Sequence, residues 1–547
     1  MKTKKINGMI SIMISICMIA SFVFCVGVVS AEEVVEVDIS KGSVIITDNQ
    51  LKAVNSENTA VNMTLEDNAV VCVSGVTNGE NANFIYVQNQ NQGLIIQLNN
   101  VTIDHTARTA AGIPIAVMDS TCTLELIGSN TLKGYTKCAA IYYNTKSNLT
   151  ITARDEAQQL IAEGGVDAAA IGHNSYGASS SVYITDKITI NANDYNYAGT
   201  ITIEQGTIRA TASKSDDIWA GGGAGIGGGY SRKATKITIN GGIIYATGAG
   251  FGAGIGGSDM KNVSQGIEIN GGIIYATAGK GSPSAGGPAA IGGGASNDKQ
   301  TVNSTDVTIK GGVIFATSEQ GAGIGANTTF GAETPNQPGE SKVIIEHAFV
   351  LAKGYQGMDV LAASVTDDAG TPVYRTKISF PDAEETSATI TIGENEPMVV
   401  PLTDKFETAT YIPAGAVSIR AKGEKVFYGE QNVVIAENHE NSVTFQQALA
   451  VKNITVVPIE TGYNVSFTYT VNCAENIDVY IIGATYDKQA LSKVVFQPVT
   501  LISGERETKI SQDITLTING ADGGGKIMIW EKSNFAPLCM PIDLEET

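Results

Sequence analysis

The feature that most limits how this chain can fold is a short string of residues that recurs four times. The copies are Ile201–Ser213 (ITIEQGTIRATAS), Ile237–Gly248 (ITINGGIIYATG), Ile267–Ala278 (IEINGGIIYATA) and Val307–Ser318 (VTIKGGVIFATS). Each runs on to a turn of small residues of the form GAGIGG, centred on Ile226, Ile255, Ile291 and Ile324, with spacings of 29, 36 and 33 residues. Ala168–His173 (AAAIGH) is an earlier, weaker member. A fixed order of motifs at variable spacing implies one structural unit per repeat, with insertions accommodated on one face.

The period within each copy identifies the unit. Ile237-Thr238-Ile239 and Ile244-Tyr245-Ala246-Thr247 alternate with period two, which is the pattern of a strand and not of a helix. Gly241 and Gly242 supply a sharp bend between the two runs, and GAGIG supplies a third short strand with one apolar knob. Three short strands per unit, repeated about every 30 residues, describe coils of a parallel β-solenoid in which stacking buries what one coil cannot. Hairpin turns every 8–12 residues, as in a sandwich, are missing here, and so is the 3.6 period of a helical solenoid.

Shorter strands without the glycine signature continue upstream at Ser43–Thr47, Asn83–Val87, Gly93–Ile103, Thr121–Ile127 and Asn148–Thr152. The solenoid is therefore expected over 32–355, with Arg154–Ala162 read as a loop plus a strand despite its helical propensity. After Gly354 the glycine motif stops. Alternating strands punctuated by Pro381, Pro397, Pro401 and Pro413 predict one small immunoglobulin-like β-sandwich over 356–448 and a second over 449–547. The fold class is all-β.

Composition bounds the partners. Of 547 residues 43% are hydrophobic, enough for a sizeable core, and the 55 acidic residues against 35 basic ones give a charge of −20. An acidic chain without clustered Lys and Arg argues against nucleic acid. Lys2, Lys4 and Lys5, the apolar run Ile10–Val29 and the small residues Val29-Ser30-Ala31 predict a signal peptide over 1–31 with cleavage before Glu32. The exported chain is then expected to have no membrane span and to be secreted or associated with the cell wall. Five cysteines remain after cleavage, an odd and scattered set that is no disulfide framework, although an oxidising compartment would permit one bridge, for example Cys122 to Cys138.

The order ITINGG, IYATG, GAGIGGG resembles a class of secreted Gram-positive proteins described as carbohydrate-binding. Asp38-Ile39-Ser40-Lys41-Gly42 with Val44-Ile45-Ile46 resembles the opening of that module, and Lys526-Ile527-Met528-Ile529-Trp530 with Pro537-Leu538 a carboxy-terminal β-module. The resemblance implies a right-handed parallel β-helix of the pectin-lyase type and contact with glycan at a cell surface.

Candidate binding residues follow from the alternation. With Ile244 and Ala246 inward, the outward columns are Arg209, Tyr245, Tyr275 and Phe315, flanked by Thr211, Thr247, Thr277 and Thr317. Such an aromatic ladder is expected to stack on sugar rings, with Arg209 pairing a carboxylate on an acidic sugar. The competing readings are that loops or the next β-unit cover the patch, or that the rings face inward. For catalysis the best candidates are Asp216 and Asp217, beside Trp219 and Arg209, although adjacent aspartates in a loop more often make a solvated turn. Asp367-Asp368 falls in the linker region. The histidines His105, His173, His347 and His439 lack metal-ligand spacing, and calcium is left unassigned, with Asn191-Ala192-Asn193-Asp194 as an oxygen-rich loop. The glycine turns lack the lysine of a P-loop. The expectation is a non-catalytic polysaccharide or cell-wall glycan binder, with a pectin-lyase-like polysaccharide lyase or glycoside hydrolase, or a structural adhesin for a protein partner, as the alternatives.

Overall fold

The computed structural model of the chain describes residues 34–544 apart from short segments, the longest being 176–181, 191–198, 214–220, 296–302, 330–338, 515–522 and 533–541. The expected signal peptide lies outside the described residues. Among them the regular structure is almost all β, and no helix is long and apolar enough to cross a membrane.

Three parallel ladders organise the repeats. The first joins Gln159–Val166, Thr207–Ser213, Ile243–Thr247, Ile273–Thr277, Val313–Thr317 and Phe349–Lys353, each strand parallel to the next. The second joins Asn148–Ala153, Thr200–Ile203, Lys236–Ile239, Ile267–Ile269, Val307–Ile309 and Lys342–Ile345. The third is made of the two-residue strands Ile171–Gly172, Ile226–Gly227, Ile255–Gly256, Ile291–Gly292 and Ile324–Gly325. The chain visits the second, first and third ladders in turn and then begins again one step along. Within this series Arg154–Gln158 forms bends and turns before the strand Gln159–Val166.

Register carries the core. Ile237, Ile239, Ile244, Ala246 and Ile255 have no exposed surface and belong to one cluster with their equivalents in neighbouring coils. Burying an isoleucine contributes about 1.5–3 kcal/mol, which no single coil could gather alone. The bend between ladders depends on glycine. Gly272 sits at φ 89°, and a Cβ there would lie 2.6 Å from the Gly242 carbonyl oxygen of the coil beside it.

Two further β-units follow. In the first, Ile378, Ile412 and Val443 from one layer meet Ile390, Ile419 and Tyr428 from another across a core that also takes in Val313 and Phe349 of the first ladder. In the second, Val465, Phe467 and Ile514 face Val479, Ile481 and Ile529. A seven-stranded sheet runs across position 449, where Phe427 pairs with Leu449.

The Cys122–Cys138 bridge is corrected. Both are free thiols, Cys122 in the main core and Cys138 in a separate cluster with Phe84 and Tyr86. Burial pushes each thiol up to about 12.

Candidate functional site

The outer face of the first ladder holds the candidate residues. Cross-strand register pairs Arg209 with Tyr245, Tyr245 with Tyr275, and Tyr275 with Phe315. Thr211, Thr247, Thr277 and Thr317 form the next column in the same register. Alternation along each strand explains the pairing of fates, since Ile244 and Ala246 are buried while Tyr245 between them is half-buried and outward.

The rings use one another's faces. Tyr245 and Tyr275 are parallel within 5° with centroids 4.8 Å apart, and Tyr275 and Phe315 within 4° at the same distance. Parallel rings so close must overlap face to face, because coplanar neighbours would collide. The Arg209 guanidinium closes the upstream end, its central carbon 3.9 Å from the Tyr245 centroid. At the other end Phe315 packs against the core of the following β-unit. The expected mode of contact is therefore corrected: between Tyr245 and Phe315 the ring faces are shared within the stack, and it offers its edge outward. Burial, then the neighbouring Tyr245 phenol, push the Tyr275 hydroxyl above the usual tyrosine range, so it serves as a neutral hydrogen-bonding group.

Beside this stack runs a feature that the sequence reading missed. At the bend between the second and first ladders, Glu156, Glu204, Gln205, Gly241, Gly242, Gly272 and the outward Ile243 and Ile273 line a groove of about 390 Å³. Its polar lining, Glu156, Glu204 and Gln205, adjoins a hydrogen-bonded column that starts at Glu204. The Asn240 side-chain amide donates to both Glu204 carboxylate oxygens at 3.0 Å, and Asn270 donates to Asn240 Oδ1 at 2.8 Å. Gln205 donates to Glu156 Oε1 at 3.3 Å. The next residue in the column, Lys310, lies 3.9 Å from Glu268, which also pairs with Lys236 at 3.1 Å. Lys236, chiefly, holds the Glu268 carboxyl below the usual carboxylate range. The column was visible as the position before each glycine pair (E-Q-G, N-G-G, N-G-G, K-G-G), had polar residues been aligned along with aromatic ones.

The other candidates separate from this face. Asp216, Asp217 and Trp219 lie outside the described residues, as do Asn191–Asp194 and His439. His173 is buried, with Nδ1 3.0 Å from the Asn174 carbonyl oxygen and its ring edge-on to Tyr142 at 5.2 Å. Asp367 accepts from the Thr371 backbone N–H at 2.7 Å and so closes its own turn. Among the described residues no group of three His, Cys, Asp or Glu is placed to hold a metal ion.

No protein family and no curated protein matches the sequence. Solved structures similar to part of it include two DUF3823 family proteins, from Bacteroides ovatus (9% identity, TM-score 0.15) and Parabacteroides merdae (10%, 0.15). A third is a Bacteroides uniformis protein provisionally described as carbohydrate-binding (12%, 0.17). They cover 31%, 32% and 32% of this chain, and 98%, 100% and 99% of their own. Overlaps this slight say nothing about what this chain binds.

Proposed function

We propose that the chain is exported and binds polysaccharide without cleaving it, through the outer face of the first ladder. In this reading residues 32–355 form a right-handed parallel β-helix of the pectin-lyase type. Two immunoglobulin-like sandwiches over 356–448 and 449–547 hold it away from, or onto, the producing cell's surface. The observation that carries the reading is the lateral order of the face. A column of threonines, a half-buried stack of two tyrosines and a phenylalanine, and an amphipathic groove run side by side across neighbouring coils. A polymer of identical units meets identical contacts on such a surface, and glycan surfaces need both hydrogen-bonding groups and apolar patches.

The test is electrophoresis through gels containing polysaccharide. The wild-type chain is expected to be retarded by at least one of several polysaccharides, and Tyr245→Ala combined with Tyr275→Ala to restore mobility while the protein still unfolds cooperatively. Wild-type mobility unchanged by every polysaccharide overturns the reading.

A further inference from the structure

We propose, on the strength of that reading, that the polysaccharide lies lengthwise in the glycine-floored groove and is an uncharged, hydroxyl-rich polymer. The tyrosine stack borders this track instead of forming its floor.

The floor cannot be filled by side chains. A Cβ on Gly242 would lie 2.5 Å from the Gly206 carbonyl oxygen, and one on Gly272 would meet Gly242 in the same way. Where the repeat needs glycine for its bend, it also leaves a bare trench along the stack of coils. The two walls differ in chemistry. On one side Glu204 and Gln205 supply polar groups, and the exposed Asn240 and Asn270 run on from Glu204 through hydrogen bonds beside the groove; on the other, Ile243 and Ile273 present half-buried apolar surface. A pyranose has the same division, with hydroxyls around its rim and C–H groups on its face. The rim suits the amide and carboxylate wall, and the face suits the isoleucines.

The ends of the track are also defined. Upstream stand Glu156 and Gln205. Downstream the position equivalent to Ile243 and Ile273 is Val313, which is only 3% exposed beneath the next β-unit. The open length covers a few coils, and a volume of about 390 Å³ is of the size that small ligands fill.

Charge selects among polysaccharides. Two carboxylates and no cation line the groove itself, and Lys310, farther along the adjoining column, lies 3.9 Å from Glu268, within a chain whose net charge is −20. The nearby Arg209 is stacked on Tyr245 outside it. A uronate carboxylate brought between Glu156 and Glu204 would meet like charge in a partly desolvated site, whereas a sugar hydroxyl would donate to either.

The experiment uses the full chain in gels containing neutral polymers (a β-glucan, a xylan and a galactomannan), polygalacturonate or chitosan, at about 0.15 M salt to screen long-range attraction. Retardation is expected in a neutral gel and not in polygalacturonate, with chitosan, whose ammonium groups the two carboxylates attract, as the control for binding by charge alone. Ile243→Ser with Ile273→Ser, and separately the exposed pair Asn240→Ala with Asn270→Ala, are expected to weaken it about tenfold or more. Glu156→Gln with Glu204→Gln is expected to keep neutral binding and to raise affinity for polygalacturonate. Retardation by polygalacturonate or chitosan but by no neutral polymer overturns the charge assignment and leaves polysaccharide binding standing. Neutral binding that survives both wall variants overturns the groove. No retardation in any gel overturns the reading on which the inference rests.

Discussion

Two stretches of the same ladder obey one sequence rule and end in different surroundings. Ile243–Thr247 and Ile273–Thr277 place Ile, Tyr and Thr outward, and these side chains stay partly exposed. Val313–Thr317 and Phe349–Lys353 continue in unbroken register, yet Val313 and Phe349 are buried in the core of the following β-unit and Phe315 packs against it. Period two decides which side chains point out of the coil, but not whether outward means wet. The chemistry of the column registers the change: tyrosine at 245 and 275 gives way to phenylalanine at 315, and the hydroxyl disappears as the cover arrives.

The largest expected effect tests that contrast directly. Phe349→Ala should destabilise the junction by about 3–5 kcal/mol, as for other buried aromatic truncations. Tyr245→Ala, on the same outward face three coils upstream, should cost far less, because much of its contact is ring stacking worth ~0.5–1.5 kcal/mol. Denaturant unfolding followed by fluorescence measures both. Equal losses would mean that the uncovered and covered stretches are energetically alike, and the comparison would fail.

A second effect asks whether the upstream coils and the covered end unfold together. His105 is buried with Nε2 2.8 Å from the Asn83 carbonyl oxygen. Burial lowers its pKa from 6.5 to about 4, opposed by that carbonyl and by Asp104 and aided by the Arg108 guanidinium. A depressed folded value means that the unfolded chain takes up the proton first. Stability is full above about pH 6.5 and falls as the pH drops toward 4, by ~3 kcal/mol at about 1.4 kcal/mol per pH unit. The melting temperature should fall over this window, and less steeply in His105→Gln. A slope identical in the two proteins removes the assignment. A fall confined to a first, partial transition would show that the upstream coils melt apart from the covered end.

Much of the coil was legible in the sequence because a two-residue period and glycine pairs are local signals. The inward and outward residues of Ile243–Thr247 follow from alternation, and the third ladder follows from GAGIG. What was not legible depended on partners distant in the chain. The following β-unit's cover over Val313 and Phe349 involves Ile378, Ile412 and Val443, and no repeat reports it. Ring orientation was missed for another reason: strand spacing puts equivalent side chains so close that flat rings stack on each other before any ligand can reach their faces. One local signal was overlooked. Asp48 and Asn49 both take positive φ, at 49° and 64°, and close a two-residue hairpin between Val44–Thr47 and Gln50–Val54, as those residue types favour.

The backbone offers a place where the two stretches should agree. Gly272, in the uncovered part, and Gly312, in the covered part, have φ of 89° and 88°, and a Cβ on either would lie 2.6 Å from the glycine carbonyl of the preceding coil. Gly272→Ala and Gly312→Ala should each cost at least ~1–2 kcal/mol, with similar drops in melting temperature. The cover acts on outward side chains, while the bend is set by the coil itself. A much milder effect at Gly272 would show that the uncovered coils relax where the covered ones cannot.

The smallest effect concerns the upstream end of the stack. Arg209 is exposed, and its guanidinium lies against the open face of Tyr245, where Phe315 at the other end has protein instead. A surface cation over an aromatic ring contributes ~0.5–1 kcal/mol, so Arg209→Ala should lower the melting temperature slightly, and Arg209→Lys less. The same change exposes the outer Tyr245 face. If neutral glycan lies in the groove, its affinity should barely move in Arg209→Ala; if sugar rings compete for the tyrosine face, affinity should rise when the guanidinium is gone. Measured in one neutral-polysaccharide gel, that difference separates a stack that holds the coils together from a stack that itself receives the ligand.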